Sequence, residues 1–320
     1  MGKFLDQLKE ILTKKDNMLI VIRPDPDSMA SAMALTKICK PLVKSVKTAR
    51  IGQVKRMENR TMTHLLKIKM NDFDKIDYRK FSKFAVVDGQ PGHFKGRDLP
   101  DFDIIIDHHP DENYTAPVSI VKPAYGANST IMAELMEDSG TEIDSKTATA
   151  LCYGIKTDTN NFERSGNKKD VLIFGNLFAA ADPRILMNIQ KWEIPRHVLS
   201  NFSYALKHIT IKYKRLVHYA GKLNSSEDLV LLTDFLNSIE GVSLCVVCAL
   251  IGDKLILIFR ESGLTHNVGQ IAQRSFGDVG NAGGHKSMAR AEIPVKNLEF
   301  DPQNSNHRYV EEFIRRRLKK

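Results

Sequence analysis

Short apolar runs alternate with helical spacings through the first half of the chain. The runs NMLIVIR (17–23), KTARIG (47–52), KFAVVD (83–88), DIIID (103–107) and PVSIVK (117–122) read as strands, and residues 28–41 and 58–68 carry helical spacing. This alternation predicts an α/β domain, a parallel sheet with crossover helices. Helical patterns follow at 126–138 and 144–157, and from about 163 to 210 the pattern is mainly helical. Three apolar runs come next, LVHYAGKL, DLVLL and SLCVVCALIGDKLILIFRES, the last reading as a hairpin that turns at Gly252-Asp253. A helix over 266–276 and a glycine stretch, GDVGNAGGHKS, complete a smaller C-terminal α+β domain. The expected boundaries are 1–190 for the first domain, ending in a helical connector, and 195–320 for the second.

Length and composition agree with this division. A chain of 320 residues suits two domains, and 42% hydrophobic with 27% charged residues describes a globular protein. The N-terminal stretch mixes charges with its apolar residues, so it lacks both a signal-peptide core and the ~18 apolar residues of a membrane span. A cytoplasmic protein without membrane association is expected. Of four cysteines, Cys245 and Cys248 sit in an apolar strand-like run. At a spacing of three they face opposite sides of a strand, which suits a core and not a zinc or redox pair. The net charge of +9 favours a polyanionic or phosphorylated partner, although the terminal RRRLKK supplies part of it.

The chemistry concentrates at strand ends. Ligands of an open parallel sheet bind at the carboxyl ends of its strands, and three predicted strands run there into aspartate. The first leads to Asp25 and Asp27 in RPDPDS, the third ends in Asp88, and the fourth ends in Asp107-His108-His109. Asp158 closes the helix that carries YGIKTDTNNF. In an extended stretch Asp25 and Asp27 face the same way, and Pro24 and Pro26 favour such a stretch. Asp27 or Ser28 also suits the cap of the following helix. Four carboxylates gathered together repel unless cations neutralise them, and their charge matches two divalent ions. Oxygen ligands with one or two imidazoles suit Mn²⁺ or Mg²⁺, and a pair of such ions suits phosphoester hydrolysis.

Taken in order, RPDPDS, VVDG, DHH and YGIKTDTNNF, followed late by NAGGHKS, resemble the DHH–DHHA1 phosphoesterase family, and within it the oligoribonuclease and pAp-phosphatase type. The resemblance implies an active-site cleft between the two domains. It also implies that Asp25, Asp27, Asp88, His108 and Asp158 are metal ligands, with Asp88 bridging two ions, Mn²⁺ by preference and Mg²⁺ as the alternative. His109 would face the scissile phosphate, Asp107 would stand behind the metals, and a metal-bound hydroxide would be the nucleophile. Arg260, Gly283, Gly284 and His285 would grip the substrate, a short oligoribonucleotide, pAp, or a linear or cyclic dinucleotide. Two departures stand out. Ala282 replaces the first of the family's three glycines, and Val21 stands where the family has a histidine ligand, with His93 and His64 as possible substitutes. Val21 therefore leaves open a nucleotide-binding or sensory protein with a weakened centre. A pyrophosphatase or exopolyphosphatase is a further alternative, and a homodimer is expected on general grounds.

Overall fold

A computed structural model describes residues 2–54, 56–94, 96–163, 166–191, 194–262 and 266–318. The chain forms two compact units, residues 1–192 and 193–320, each built on its own six-stranded sheet.

In the first unit the helices are α1 (Lys3–Ile11), α2 (Pro26–Cys39), α3 (Met57–Leu65), α4 (Asn128–Asp138), α5 (Ser145–Asp158), α6 (Lys168–Ala180) and α7 (Pro183–Gln190). Its strands are β1 (Asn17–Ile22), β2 (Ser45–Arg50), β3 (Asn71–Asp72), β4 (Lys83–Val87), β5 (Ile104–Asp107) and β6 (Val118–Val121). All five pairings are parallel, in the order β3-β2-β1-β4-β5-β6. β1 is a nearly unbroken apolar run because both of its faces are covered. Met18, Ile20 and Ile22 join the core under α2, α4 and α5, while Leu19 and Val21 pack on the other face with Phe73, Phe94 and Phe102. Strand order reverses between β1 and β4, and the crevice at such a switch point is where open α/β sheets bind ligands. Asp25 and Asp88 follow these two strands.

The second unit consists of α8 (Leu199–His208), β7 (Ile211–Lys212), β8 (Arg215–Lys222), α9 (Ser226–Asn237), β9 (Leu244–Ile251), β10 (Lys254–Glu261), α10 (Val268–Phe276), β11 (Asn281–Gly284), β12 (Met288–Pro294) and α11 (His307–Arg317). The sheet runs β11-β12-β10-β9-β8-β7, with β8 and β9 parallel and the other pairs antiparallel. DLVLL lies in α9, whose Leu229, Leu232 and Leu236 cover one face of the sheet together with α8. α10 and α11 cover the other face. Ile251 pairs with Lys254, so Gly252 and Asp253 form the two-residue turn, with Gly252 at φ +61°. Cys245 and Cys248 are buried on opposite faces of β9.

Candidate metal centre

Pro26 does not extend the RPDPDS stretch but opens α2, and Asp25 is the N-cap. Its carboxylate accepts from Ser28 N at 2.8 Å, and Ser28 Oγ accepts from Asp25 N at 3.1 Å, a reciprocal capping box. The cap is thus Asp25 and neither Asp27 nor Ser28. The two carboxylates come near each other across the first helical turn, not along an extended stretch. Asp27 is buried, and its two oxygens accept from Asn128 N (2.6 Å) and Ser129 N (2.7 Å), the first two amides of α4. α4 has no capping side chain of its own, so Asp27 meets its positive end from another element.

Asp88 follows β4 in the left-handed region, φ +57°, and donates its N–H to Ile106 O at 2.9 Å. This turn aims its carboxylate toward His108, where Nε2 lies 3.3 Å from Asp88 Oδ1, 3.1 Å from Asp158 Oδ2 and 3.9 Å from Asp27 Oδ2. His108 Nδ1 sits 3.2 Å from Tyr125 O, which fixes the ring with Nε2 toward the carboxylates. Buried Asp88 Oδ1 and His108 Nε2 are both without an aligned hydrogen-bond partner. Such groups cost free energy unless something else satisfies them, and the carboxylates and imidazole together form a donor set that fits a divalent cation.

Asp158 arrives through a missing side chain. Gly154 lies one turn earlier on α5, and a Cβ there would stand 2.3 Å from Ser129 Oγ and 3.2 Å from Asp27 Cα. The close approach of α5 to α2 and α4 therefore requires glycine, despite the ~1 kcal/mol that glycine costs inside a helix. Immediately after Asp158 the chain holds Asn160, Asn161 and Phe162 at positive φ, sterically costly for a residue as bulky as Phe162.

Charge follows from this crowding. Burial, and then the charge of Asp158, push the Asp27 carboxyl up to about 7. Burial and the charges of Asp27 and Asp25 raise Asp88 well above the ordinary carboxylate range. For His108 burial opposes protonation, but Asp158 and Asp88 beside Nε2 and the charge of Asp27 outweigh it, pushing the ring up to about 12. Without cations, the cluster thus holds protons in their place.

Asp107 is equally buried but behaves in the opposite way. Burial is outweighed by His109 and Gln90, which hold its carboxyl below the ordinary range. Its Oδ1 is 2.8 Å from His109 Nδ1 and its Oδ2 accepts from Gln90 Nε2 at 2.7 Å. Gln90 also donates to Pro110 O, accepts from Glu112 N, and gives its own N–H to His93 Nδ1 at 3.3 Å. Sequence reasoning missed Gln90, whose only signal was its place two residues after Asp88.

Three overlapping groups of potential ligands result: Asp27, His108 and Asp158; Asp88, His108 and His109; and His93, Asp107 and His109. His93 is not simply a surface residue, since its ring lies edge-on to His109 at 5.0 Å. Exposed His64 on α3 belongs to none of these groups among the described residues. Val21 is wholly buried with Leu19, Val86, Phe94 and Ile105.

The motifs expected to grip a substrate lie at one end of the second sheet, where Arg260 pairs with Met288 and Gly284 with Ala289. Arg260 Nε already donates to Asp234 Oδ1 at 2.6 Å, a partner not legible in the sequence. Gly283 and Gly284 belong to edge strand β11 and not to an open loop. Gly284 is at φ +151° with no room for a Cβ against Met288 O, so its glycine serves the hairpin itself. His285 is exposed, and its N–H is taken by Met288 O at 2.8 Å.

Among the described residues no helix is long and apolar enough to cross a membrane. Residues 18–155 match the model of the DHH family, N-terminal domain. An uncharacterised protein of Methanocaldococcus jannaschii is 32% identical over 309 residues, which is 95% of this chain, and the chain spans 64% of that relative's length. An exopolyphosphatase-related protein of Bacteroides fragilis shares the fold, with TM-score 0.69 and 14% identity over 99% of this chain and 95% of its own. A pGpG-specific phosphodiesterase of Vibrio cholerae is more loosely similar, with TM-score 0.49 and 10% identity over 94% and 98% of the two chains. The ordered aspartate and histidine motifs that converge on one crevice thus lie in, or within a few residues of, the stretch 18–155 that matches the DHH family, N-terminal domain.

Proposed function

We propose that the first unit hydrolyses phosphoester bonds of short nucleotides, such as a short oligoribonucleotide, pAp, or a linear or cyclic dinucleotide. The observation that carries this reading is the buried pair Asp88 Oδ1 and His108 Nε2, 3.3 Å apart, crowded together with the carboxylates of Asp25, Asp27 and Asp158. These five residues fit two divalent cations, Mn²⁺ being the first to test. Asp25, Asp27, Asp88, His108 and Asp158 would hold them, and cations bound there would polarise a phosphoryl group and lower the pKa of water.

His109 is the group placed to handle a proton. Asp107 holds its Nδ1, and Gln90 holds Asp107, so Nε2 of this partly exposed ring is left to face a leaving oxygen. The basic second unit supports an anionic substrate: a phosphate reaching Arg260 shares it with, or takes it from, Asp234.

Val21 supports a second reading, a nucleotide-binding protein with one weakened metal site. A Mn²⁺ titration against pAp, a diribonucleotide, a five-residue RNA and a cyclic dinucleotide separates the two. Turnover at low Mn²⁺ by the natural chain is expected. Nucleotide binding without turnover, with activity appearing only in Val21→His, would establish the binding role instead.

A further inference from the structure

The second unit contains a pocket of ≈ 480 Å³ at the opposite edge of the sheet from β11 and its glycines. Its walls come from α8, β7, β8 and α11. β7 pairs with β8 only at Ile211 with Leu216 and Lys212 with Arg215, so the rest of that β8 edge has no strand partner. α11 covers it with residues spaced four apart: Arg315 donates to Val217 O, Glu311 accepts from Tyr219 N, and His307 Nδ1 meets Tyr219 O, each at 3.1 Å. This side-chain ladder explains Arg315, Glu311 and Nδ1 of His307 as edge protection. It does not explain the rest of the pocket.

Three features remain. His218 on β8 is 1% exposed and lines the pocket, yet neither ring nitrogen has an aligned hydrogen-bond partner, although Glu311 Oε1 lies 3.3 Å from Nδ1. Flat rings are gathered there. Tyr204 stacks on His208 with centroids 4.1 Å apart and stands 5.1 Å from His307. Exposed Lys212 and Arg308 stand at the rim, Arg308 in the first turn of α11 beside its N-cap Asn306. Next to Lys212, the turn at Tyr213 and Lys214 holds both at positive φ and leaves Tyr213 fully exposed.

We propose that this pocket binds a nucleotide: a base against the rings of Tyr204 and His307, its phosphate between Lys212 and Arg308, and a hydrogen bond to His218. Rings supply the flat surface that a base stacks on, and the rim cations Lys212 and Arg308 supply the anion site. Glu311 and Glu312 in the wall repel a bare phosphate but accept from an exocyclic amine or a ribose hydroxyl, which favours a whole nucleotide over inorganic phosphate. The volume suits a small ligand. This inference is independent of hydrolysis at the metal centre.

The test is photo-crosslinking of the full chain with 8-azido-AMP in EDTA, followed by peptide mapping. Label is expected within residues 201–218 or 304–316, competed by AMP better than by adenosine or phosphate. Isothermal titration with AMP should show about tenfold weaker binding for Lys212→Glu with Arg308→Glu, both exposed, with an unchanged melting temperature. Label confined to residues 1–192 or to 281–290, or equal AMP affinity in the double variant, would overturn the proposal. So would the absence of saturable AMP binding.

Discussion

The candidate metal centre of the first unit and the pocket of the second each contain a buried histidine without an aligned hydrogen-bond partner, but the charges around the first are carboxylates alone and those around the second are mixed. His108 lies among Asp27, Asp88 and Asp158, whereas His218 shares its pocket with Lys212, Arg308 and Arg315 as well as Glu311 and Glu312. A buried ring nitrogen without an aligned partner therefore does not by itself name a ligand. The surrounding charge decides: a surplus of carboxylates calls for cations, and a ring-lined pocket with basic groups calls for an anion bearing a flat base.

The comparison breaks most sharply at Asp88. Asp88→Asn keeps a residue that tolerates the left-handed turn but removes the central charge. Metal-dependent hydrolysis should fall by about 10³-fold or more, while AMP binding in the second unit stays the same. A parallel loss of both would mean that the two sites are one.

Metal removal gives an intermediate effect through pH. Asp27 titrates near 7 in the metal-free fold against an ordinary 3.8, so its stabilising contribution is whole below pH ~4 and lost as pH rises to 7. The contribution of His108, pushed up to about 12, likewise begins to be lost above pH ~6.5. Both slopes have the same sign. In EDTA the first unit should melt on the order of 5 °C lower at pH 8 than at pH 5. Mn²⁺ should raise the melting temperature more at pH 8, because its ligands must first lose those protons. Scanning fluorimetry at both pH values checks this, and equal shifts would count against a protonated cluster.

Gln90→Leu should have the smallest effect. It leaves every cation ligand in place but releases Asp107, and with it the orientation of His109. The expected result is a kcat about tenfold lower with KM little changed. If metal affinity falls instead, Gln90 supports the cation site and not the proton-handling histidine.

Much of this was legible in the sequence because three central strands of the parallel first sheet, β1, β4 and β5, are largely apolar runs that end in or lead into aspartate. β3 was not, since two polar residues, Asn71 and Asp72, carry no periodic signal. α1 was hidden because only Phe4 and Leu8 on its surface are fully buried, with Ile11 partly so, among many charges. The motifs located Asp25, Asp27, Asp88, His108 and Asp158, but tertiary structure assigned their further duties: Asp25 caps α2 and Asp27 caps α4. The pocket of the second unit left no trace, because Tyr204, His218 and His307 have no common motif and meet only when α8, β8 and α11 pack together.

Gly154 has a consequence for how related chains are read. The reach of Asp158 is gauged one turn upstream by an atom that is not there, so the dimension of the centre is not recorded in its ligands. A relative with every aspartate and histidine in place, but alanine at this position, would pass any inspection of chemical groups and still hold its last carboxylate too far away. The inventory of donors tells what a site could hold; the bare position tells whether the donors arrive together.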